Sequence, residues 1–264
     1  MEATVVYAVD TGEMPVVATT GPGGRGRNRW GGRDDPRTVA IADLRPRAGT
    51  LSLDREGFVL VHSPTAADLW DERQRHEVYD PEVERLIAEQ TGATRVVVFD
   101  HTLRSGDAAK QAQHFAREPV YLVHNDYTPR SAPWRVEDAL PDEADDLLSR
   151  RFAIVQVWRP IGRPVLRDPL ALCDATTVER DDLIVAERRH PNRVGEIFHV
   201  KHNPAHRWWY APSLQPDEAL VFKVFDSVAD GRAQHGAHTS FVDPSAPADA
   251  PPRESIEVRA LALF

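Results

Sequence analysis

His124 and Asp126 stand two residues apart at the end of the apolar run Tyr121-Leu122-Val123, so on an extended strand both side chains leave from one side. A histidine and a carboxylate presented together are most of a 2-His-1-carboxylate set, the arrangement that holds Fe(II) and keeps coordination positions open for a co-substrate and dioxygen. The missing ligand would be one distant histidine, and His235 and His238 are the candidates. Further along, Arg253 and Ser255 share one face of the last apolar strand. A guanidinium forked onto a carboxylate with a hydroxyl donating beside it is the grip a dicarboxylate needs. The competing arrangement has Arg253 in a surface ion pair and Arg259 turned inward.

Arg104, Trp158, Arg159 and Tyr210 are candidates for a substrate pocket, although Trp158 and Tyr210 on strands serve equally well as core. His199, His202 and His206 cluster in sequence, but strand alternation puts His199 and His202 on opposite faces and no carboxylate completes a zinc set. Lys223 and Asp226 fall on a later strand and are candidates to line a barrel.

These residues need a scaffold, and the chain bounds what it can be. It has 264 residues, 41% hydrophobic and 28% charged, an ordinary globular composition that excludes global disorder. A net charge of -9 argues against nucleic acid or an anionic membrane surface as the main partner. The single cysteine, Cys173, allows no disulfide within the chain, and no segment approaches the length of apolar residues that spans a bilayer; the expectation is a cytoplasmic protein.

With no repeat or low-complexity block, a single domain over 1–264 is expected, in three stretches. Residues 1–37 are expected to form a mobile N-terminal arm or lid, because residues 13–37 interleave glycines with Arg25, Arg27, Arg29 and Arg33 around Trp30. Residues 38–118 should hold strands at 39–41, 51–53 and 58–62 and then helices. Ser63-Pro64-Thr65 and Asp80-Pro81 each resemble a helix start, Thr91-Gly92 a stop, and weaker helices fit 107–116 and 141–150. From 119 to 264 the pattern is short strands between Pro, Gly and Asp turns. The fold class is therefore mainly β with flanking α, a double-stranded β-helix of jelly-roll or cupin type whose mouth offers a pocket.

Several segments in order carry a family resemblance: Val98-Phe99-Asp100-His101-Thr102-Leu103-Arg104, Val123 to Thr128, Val157-Trp158-Arg159-Pro160, Pro169 to Asp174, Phe225-Asp226-Ser227, His238-Thr239-Ser240-Phe241 and Arg253 to Arg259. From about residue 38 to the C-terminus the chain resembles the AsaB-type hydroxylase/desaturase family of natural-product pathways, which also contains the CmcJ component of cephamycin methoxylation. The resemblance implies a nonheme oxygenase using Fe(II), 2-oxoglutarate and dioxygen on a small molecule. It maps His124, Asp126 and His238 to the iron ligands and Arg253 with Ser255 to the 2-oxoglutarate anchor. Asp126, where Gly or Ala would leave room for a halide, favours hydroxylation or desaturation over halogenation. Two positions depart from the family pattern: Ala237 replaces a proline before the distal histidine, which keeps His235 in play, and Gln156 replaces an asparagine, which bears on what the pocket accepts. Two other readings remain: a non-catalytic partner subunit of a pathway enzyme, and a metal cupin that does not use 2-oxoglutarate. Whether the chain forms a homo-oligomer is left open.

Overall fold

The computed structural model describes residues 1–20, 26–190 and 193–264. Its strands are β1 (Glu2–Val9), β2 (Val16–Thr20), β3 (Gly26–Trp30), β4 (Arg33–Asp43), β5 (Phe58–His62), β6 (Arg95–Ser105), β7 (His124–Asn125), β8 (Phe152–Pro160), β9 (Leu170–Cys173), β10 (Leu183–His190), β11 (Arg193–Val200), β12 (Trp208–Tyr210), β13 (Glu218–Asp226), β14 (His238–Ser240) and β15 (Glu254–Leu263). They form two sheets. The larger has ten strands in the order β1-β4-β12-β9-β14-β7-β11-β10-β2-β3, and the smaller has five in the order β5-β13-β8-β15-β6. This is the jelly-roll, mainly β architecture the strand pattern implies.

In the smaller sheet β8 and β15 are buried along their whole length, and alternation gives each two distinct faces. Val155, Val157, Ile256 and Val258 belong to the main apolar cluster with Val83, Leu86 and Ile87 of the helix Asp80–Thr91. The opposite face of β15 carries Ser255, Glu257 and Arg259, with Arg253 just before the strand, a buried polar column where a protein interior is ordinarily apolar. Buried charge of this density persists only where it is paired or awaits a partner.

The N-terminal region departs from the expected arm. Residues 2–9, 16–20, 26–30 and 33–43 are strands of the larger sheet, with β1 antiparallel to β4. The reason is alternation hidden by composition: Val5 and Tyr7 are fully buried, and the Tyr7 hydroxyl accepts a hydrogen bond from the Trp208 indole at 2.7 Å. Within the Gly/Arg-rich stretch, residues 21–25 lie outside the described residues. The jelly roll is accordingly not confined to 119–264, since β1 to β6 contribute to both sheets.

Other local differences have simple causes. Residues 51–53 form no strand, because the turn that follows is braced by the Glu56 carboxylate accepting the Ser52 amide at 3.0 Å. Ser63-Pro64-Thr65 starts no helix; the helical run begins at Glu72, where Asp71 caps by accepting the Gln74 amide. That run continues without a break through a π turn at Arg75–Tyr79 into Asp80–Thr91, so Asp80-Pro81 lies inside it. It ends where expected, with Gly92 in the left-handed region at φ 73°. Val120–Val123 is not a regular strand; β7 is two residues long.

Candidate active site

β7 and β14 are adjacent in the larger sheet, with His238 paired to His124. Asp126 sits on the bend just after β7. One ligand atom from each of His124, Asp126 and His238 lies within 4.8 Å of the others, and all three residues are buried. The two imidazole rings stand 4.4 Å apart between centroids.

Each side chain in this cluster is fixed by its far end. The His124 Nδ1 donates to the Leu122 carbonyl at 2.7 Å, and the His238 Nδ1 donates to the Gly236 carbonyl at 2.9 Å. Both Nε2 atoms are thereby left as unprotonated donors of a lone pair, the tautomer a metal needs. The Gly236 amide in turn donates to Asn125 Oδ1 at 3.1 Å. Glycine is required there: a Cβ at 236 would sit 2.4 Å from the Lys223 carbonyl oxygen, so a side chain would push the loop and His238 off β13.

Asp126 is held asymmetrically. Its Oδ2 accepts from Gln156 Nε2 at 2.7 Å and from Arg259 Nε at 2.9 Å and Nη2 at 2.6 Å. Its Oδ1 is buried, has no hydrogen-bond partner, and lies 3.6 Å from His124 Nε2. Burial alone would raise the Asp126 pKa, but Arg259, with His124 and His238, holds it well below the usual carboxylate range. Burial, followed by the neighbouring His238, drives His124 well below its ordinary value, and burial lowers His238 as well. Two neutral imidazoles and one carboxylate oxygen left over from its hydrogen bonds are a donor set that fits Fe(II).

Arg253 is 2% exposed, so it makes no surface ion pair, and Arg259 turns inward as well. Its Nη1 donates to the Asp168 carbonyl at 2.6 Å and to Ser240 Oγ at 2.7 Å, while Nε has no partner. No carboxylate pairs with it among the described residues, and the guanidinium lies 5.5 Å from the Trp158 ring centroid. Burial lowers its pKa to about 9. Ser255 Oγ, on the same face, is also buried without a partner. A buried cation and a buried hydroxyl, each with an unused donor, fit the carboxylate of a 2-oxo acid.

A cavity of about 260 Å³ opens beside His124, lined by Arg104, Leu122, Ile197, His199, Arg188 and residues of the N-terminal strands, Val17 and Arg29. Of the sequence candidates for a substrate pocket, Arg104 is placed in its wall; it donates to the Glu118 carbonyl at 3.0 Å and faces Glu257 Oε2 at 3.4 Å. Trp158 lies under Arg253 and does not line the cavity. Arg159 is a correction: strand alternation turns it to the far face of β8, where its guanidinium covers the Tyr79 ring and bonds the Ser63 carbonyl. Tyr210 is a second: it packs edge-on against Phe241 at 5.4 Å in a separate apolar cluster. His235, the alternative distal histidine, is not in the cluster of His124, Asp126 and His238 and packs between Phe198 and Phe225.

Four residues have places at the site that sequence reasoning did not assign to them. Gln156 does not shape the pocket, since its amide supports the Asp126 carboxylate. Arg259 and Glu257 form a buried bonded pair behind the same carboxylate. His199 lines the cavity, 1% exposed, with Nδ1 unpartnered; burial, then Arg29, lowers its pKa to about 4. The signal for Gln156 and Arg259 was parity along β8 and β15, once those strands are known to be neighbours.

A family model described as "Oxidoreductase/YMDC permease-like domain" matches residues 5–263. A hydroxylase/desaturase from Hormonema carpetanum, efuI, is 34% identical over 86% of this chain and 83% of its own length. The Fe(II)/2-oxoglutarate-dependent dioxygenase nvfI of Aspergillus novofumigatus is 31% identical over 86% of this chain and 83% of its own length. Among solved structures, the iron and alpha-ketoglutarate-dependent endoperoxidase NvfI superposes with a TM-score of 0.87 at 29% identity, covering 100% of this chain and 97% of that one.

Proposed function

As the chain belongs to the Fe(II)/2-oxoglutarate-dependent hydroxylase/desaturase family and is a dioxygenase of natural-product biosynthesis acting on a small molecule, we propose that its iron is held by His124, Asp126 and His238 and its 2-oxoglutarate by Arg253 and Ser255. The observation that carries this reading is the set of buried polar atoms without partners: Asp126 Oδ1, Arg253 Nε and Ser255 Oγ. Each is an unused ligand or donor where one would be needed, and leaving it unused costs about 1–3 kcal/mol.

Bound there with 2-oxoglutarate and dioxygen, the iron supplies abstraction of a hydrogen atom from an unactivated C–H bond, with 2-oxoglutarate ending as succinate and carbon dioxide. The residues of the chain do the rest. Leu122 and Gly236 fix the histidine tautomers, so no proton competes with the metal at either Nε2. Arg259 and Gln156 keep Asp126 ionised and leave one oxygen to coordinate. Arg253 neutralises the distal carboxylate of 2-oxoglutarate, and Ser255 donates beside it. Arg29, Arg104, Arg188 and His199 give the largely apolar cavity wall its polar groups, which orient a substrate that is mostly hydrocarbon. Substrate position then decides between hydroxylation, desaturation and ring closure.

The complete ligand set argues against a non-catalytic subunit, and the unpaired Arg253 argues against a metal cupin indifferent to 2-oxoglutarate. With Cys173 buried and no helix among the described residues long and apolar enough to cross a membrane, a reducing cytoplasm is the compartment we propose. The test is release of carbon dioxide from carboxyl-labelled 2-oxoglutarate with Fe(II) in air. Iron-dependent release, lost in His238→Ala and retained in His235→Ala, is expected. Full release in His238→Ala contradicts the ligand assignment.

A further inference from the structure

On the other side of the smaller sheet a second group of ligand-type residues converges. His76 and Asp80 lie four apart on the helical run that passes through the π turn, and so share one face. His101 reaches them from β6. The Asp80 carboxylate is divided between them: Oδ2 is 2.9 Å from His76 Nδ1, and Oδ1 is 2.6 Å from His101 Nε2. The two rings stand 5.1 Å apart, nearly perpendicular, and one ligand atom from each residue lies within 4.8 Å of the others.

We propose that His76, Asp80 and His101 form a second metal site, taking a zinc-like divalent ion with water in the remaining position. Two imidazole nitrogens and one carboxylate oxygen suit zinc and its neighbours in the transition series and do not suit magnesium or calcium, which take oxygen. Both nitrogens already aim at one carboxylate, so an ion that displaces their protons to solvent, or to the other ring nitrogen, needs only small side-chain shifts. Asp80 and His101 are mostly buried, their side chains 17% and 13% exposed, whereas His76 is 58% exposed and leaves a way in. Asp80 remains a carboxylate, since its bonds to His101 and His76 outweigh the burial that would raise its pKa. The site is separate from the iron ligands, because alternation along β6 puts His101 on the helix-covered face of the smaller sheet and Asp100 on the opposite face, where it pairs with Arg259.

Anaerobic equilibrium titration of the full chain with Co(II), followed by its visible absorption, tests this. Two ions per chain are expected for the wild type, and one for the His124→Ala/His238→Ala double variant. His76→Ala or His101→Gln should also bind one, with the 2-oxoglutarate charge-transfer band of the Fe(II)-loaded protein unchanged. That band reports the iron site in the same samples, so failure of one site is distinguishable from failure of the other. If His101→Gln does not fold, the exposed His76→Ala decides. A single ion in the wild type, or a second ion that survives His76→Ala, overturns the proposal.

Discussion

Arg259 donates twice to one oxygen of Asp126, from Nε at 2.9 Å and Nη2 at 2.6 Å, and leaves the other oxygen of that carboxylate without a hydrogen-bond partner. The arrangement separates two tasks within one side chain. Oδ2 is given over to keeping Asp126 ionised and oriented, and under the proposed ligand assignment Oδ1 is the oxygen that meets the metal. Arg259→Met should therefore weaken Fe(II) binding by roughly 10–100-fold, and Gln156→Leu, which removes one neutral donor, by less. Anaerobic Fe(II) titration of both variants checks the order; equal affinity in Arg259→Met would mean that Asp126 needs no support.

Arg253 and Ser255 predict a division of labour in 2-oxoglutarate binding. Arg253→Ala should cost about 1.5–3 kcal/mol, the range of a charged hydrogen bond, and Ser255→Ala about 0.5–1.5 kcal/mol. Fe(II) affinity should stay as it was in both, since neither residue bonds to His124, Asp126 or His238. Isothermal titration with 2-oxoglutarate, metal present, measures the two losses.

Gly236 joins backbone packing to the site. With Lys223 O only 2.4 Å from where its Cβ would be, Gly236→Ala must move the loop that carries His238. Expected are a lower thermal midpoint and a larger fractional loss of Fe(II) affinity than in Gly49→Ala, where a Cβ meets nothing within 4 Å and the backbone is outside the left-handed region. Comparable iron affinity in the two variants would count against the loop as the element that positions His238.

Acid should destabilise the metal-free protein. His199 is buried neutral with its pKa lowered from 6.5 to about 4, so between those values the unfolded chain binds the proton and the folded one does not. Stability contributed by this group is full above pH 6.5 and falls as pH drops towards 4, by on the order of 3 kcal/mol. His235, lowered to about 4 by burial, adds to the same slope. Denaturation midpoints of the apoprotein from pH 7 to 5 should decline, and less steeply in His199→Gln; an identical slope in that variant would show that His199 is not the titrating group.

How much of this could be read from the chain follows from what each signal depends on. The run Arg253 to Arg259 was legible because residue types two apart on a strand point one way, a local property, whereas Asp126 comes to His124 through the bend that follows the two-residue β7. Arg159 and Tyr210 were misplaced because which face of a strand meets the site depends on the neighbouring sheet: Trp158 and Gln156 face it, Arg159 the Tyr79 ring. The N-terminal strands were hidden by glycine and arginine, and their order comes from pairing with distant partners, β4 with β12 and β2 with β10. His199 was set aside as one of a trio, although its register opposite His124 brings it to the cavity.

The central claim is that His124, Asp126, His238 and Arg253 together hold iron and 2-oxoglutarate. The most direct measurement is anaerobic titration of the apoprotein with Fe(II) and then 2-oxoglutarate, following the weak visible charge-transfer band of a chelated 2-oxo acid. The band should appear in the wild type, vanish in His124→Ala, and require far more 2-oxoglutarate in Arg253→Ala. A band of unchanged strength and affinity in His124→Ala, or Fe(II) bound with no band at all, would contradict it.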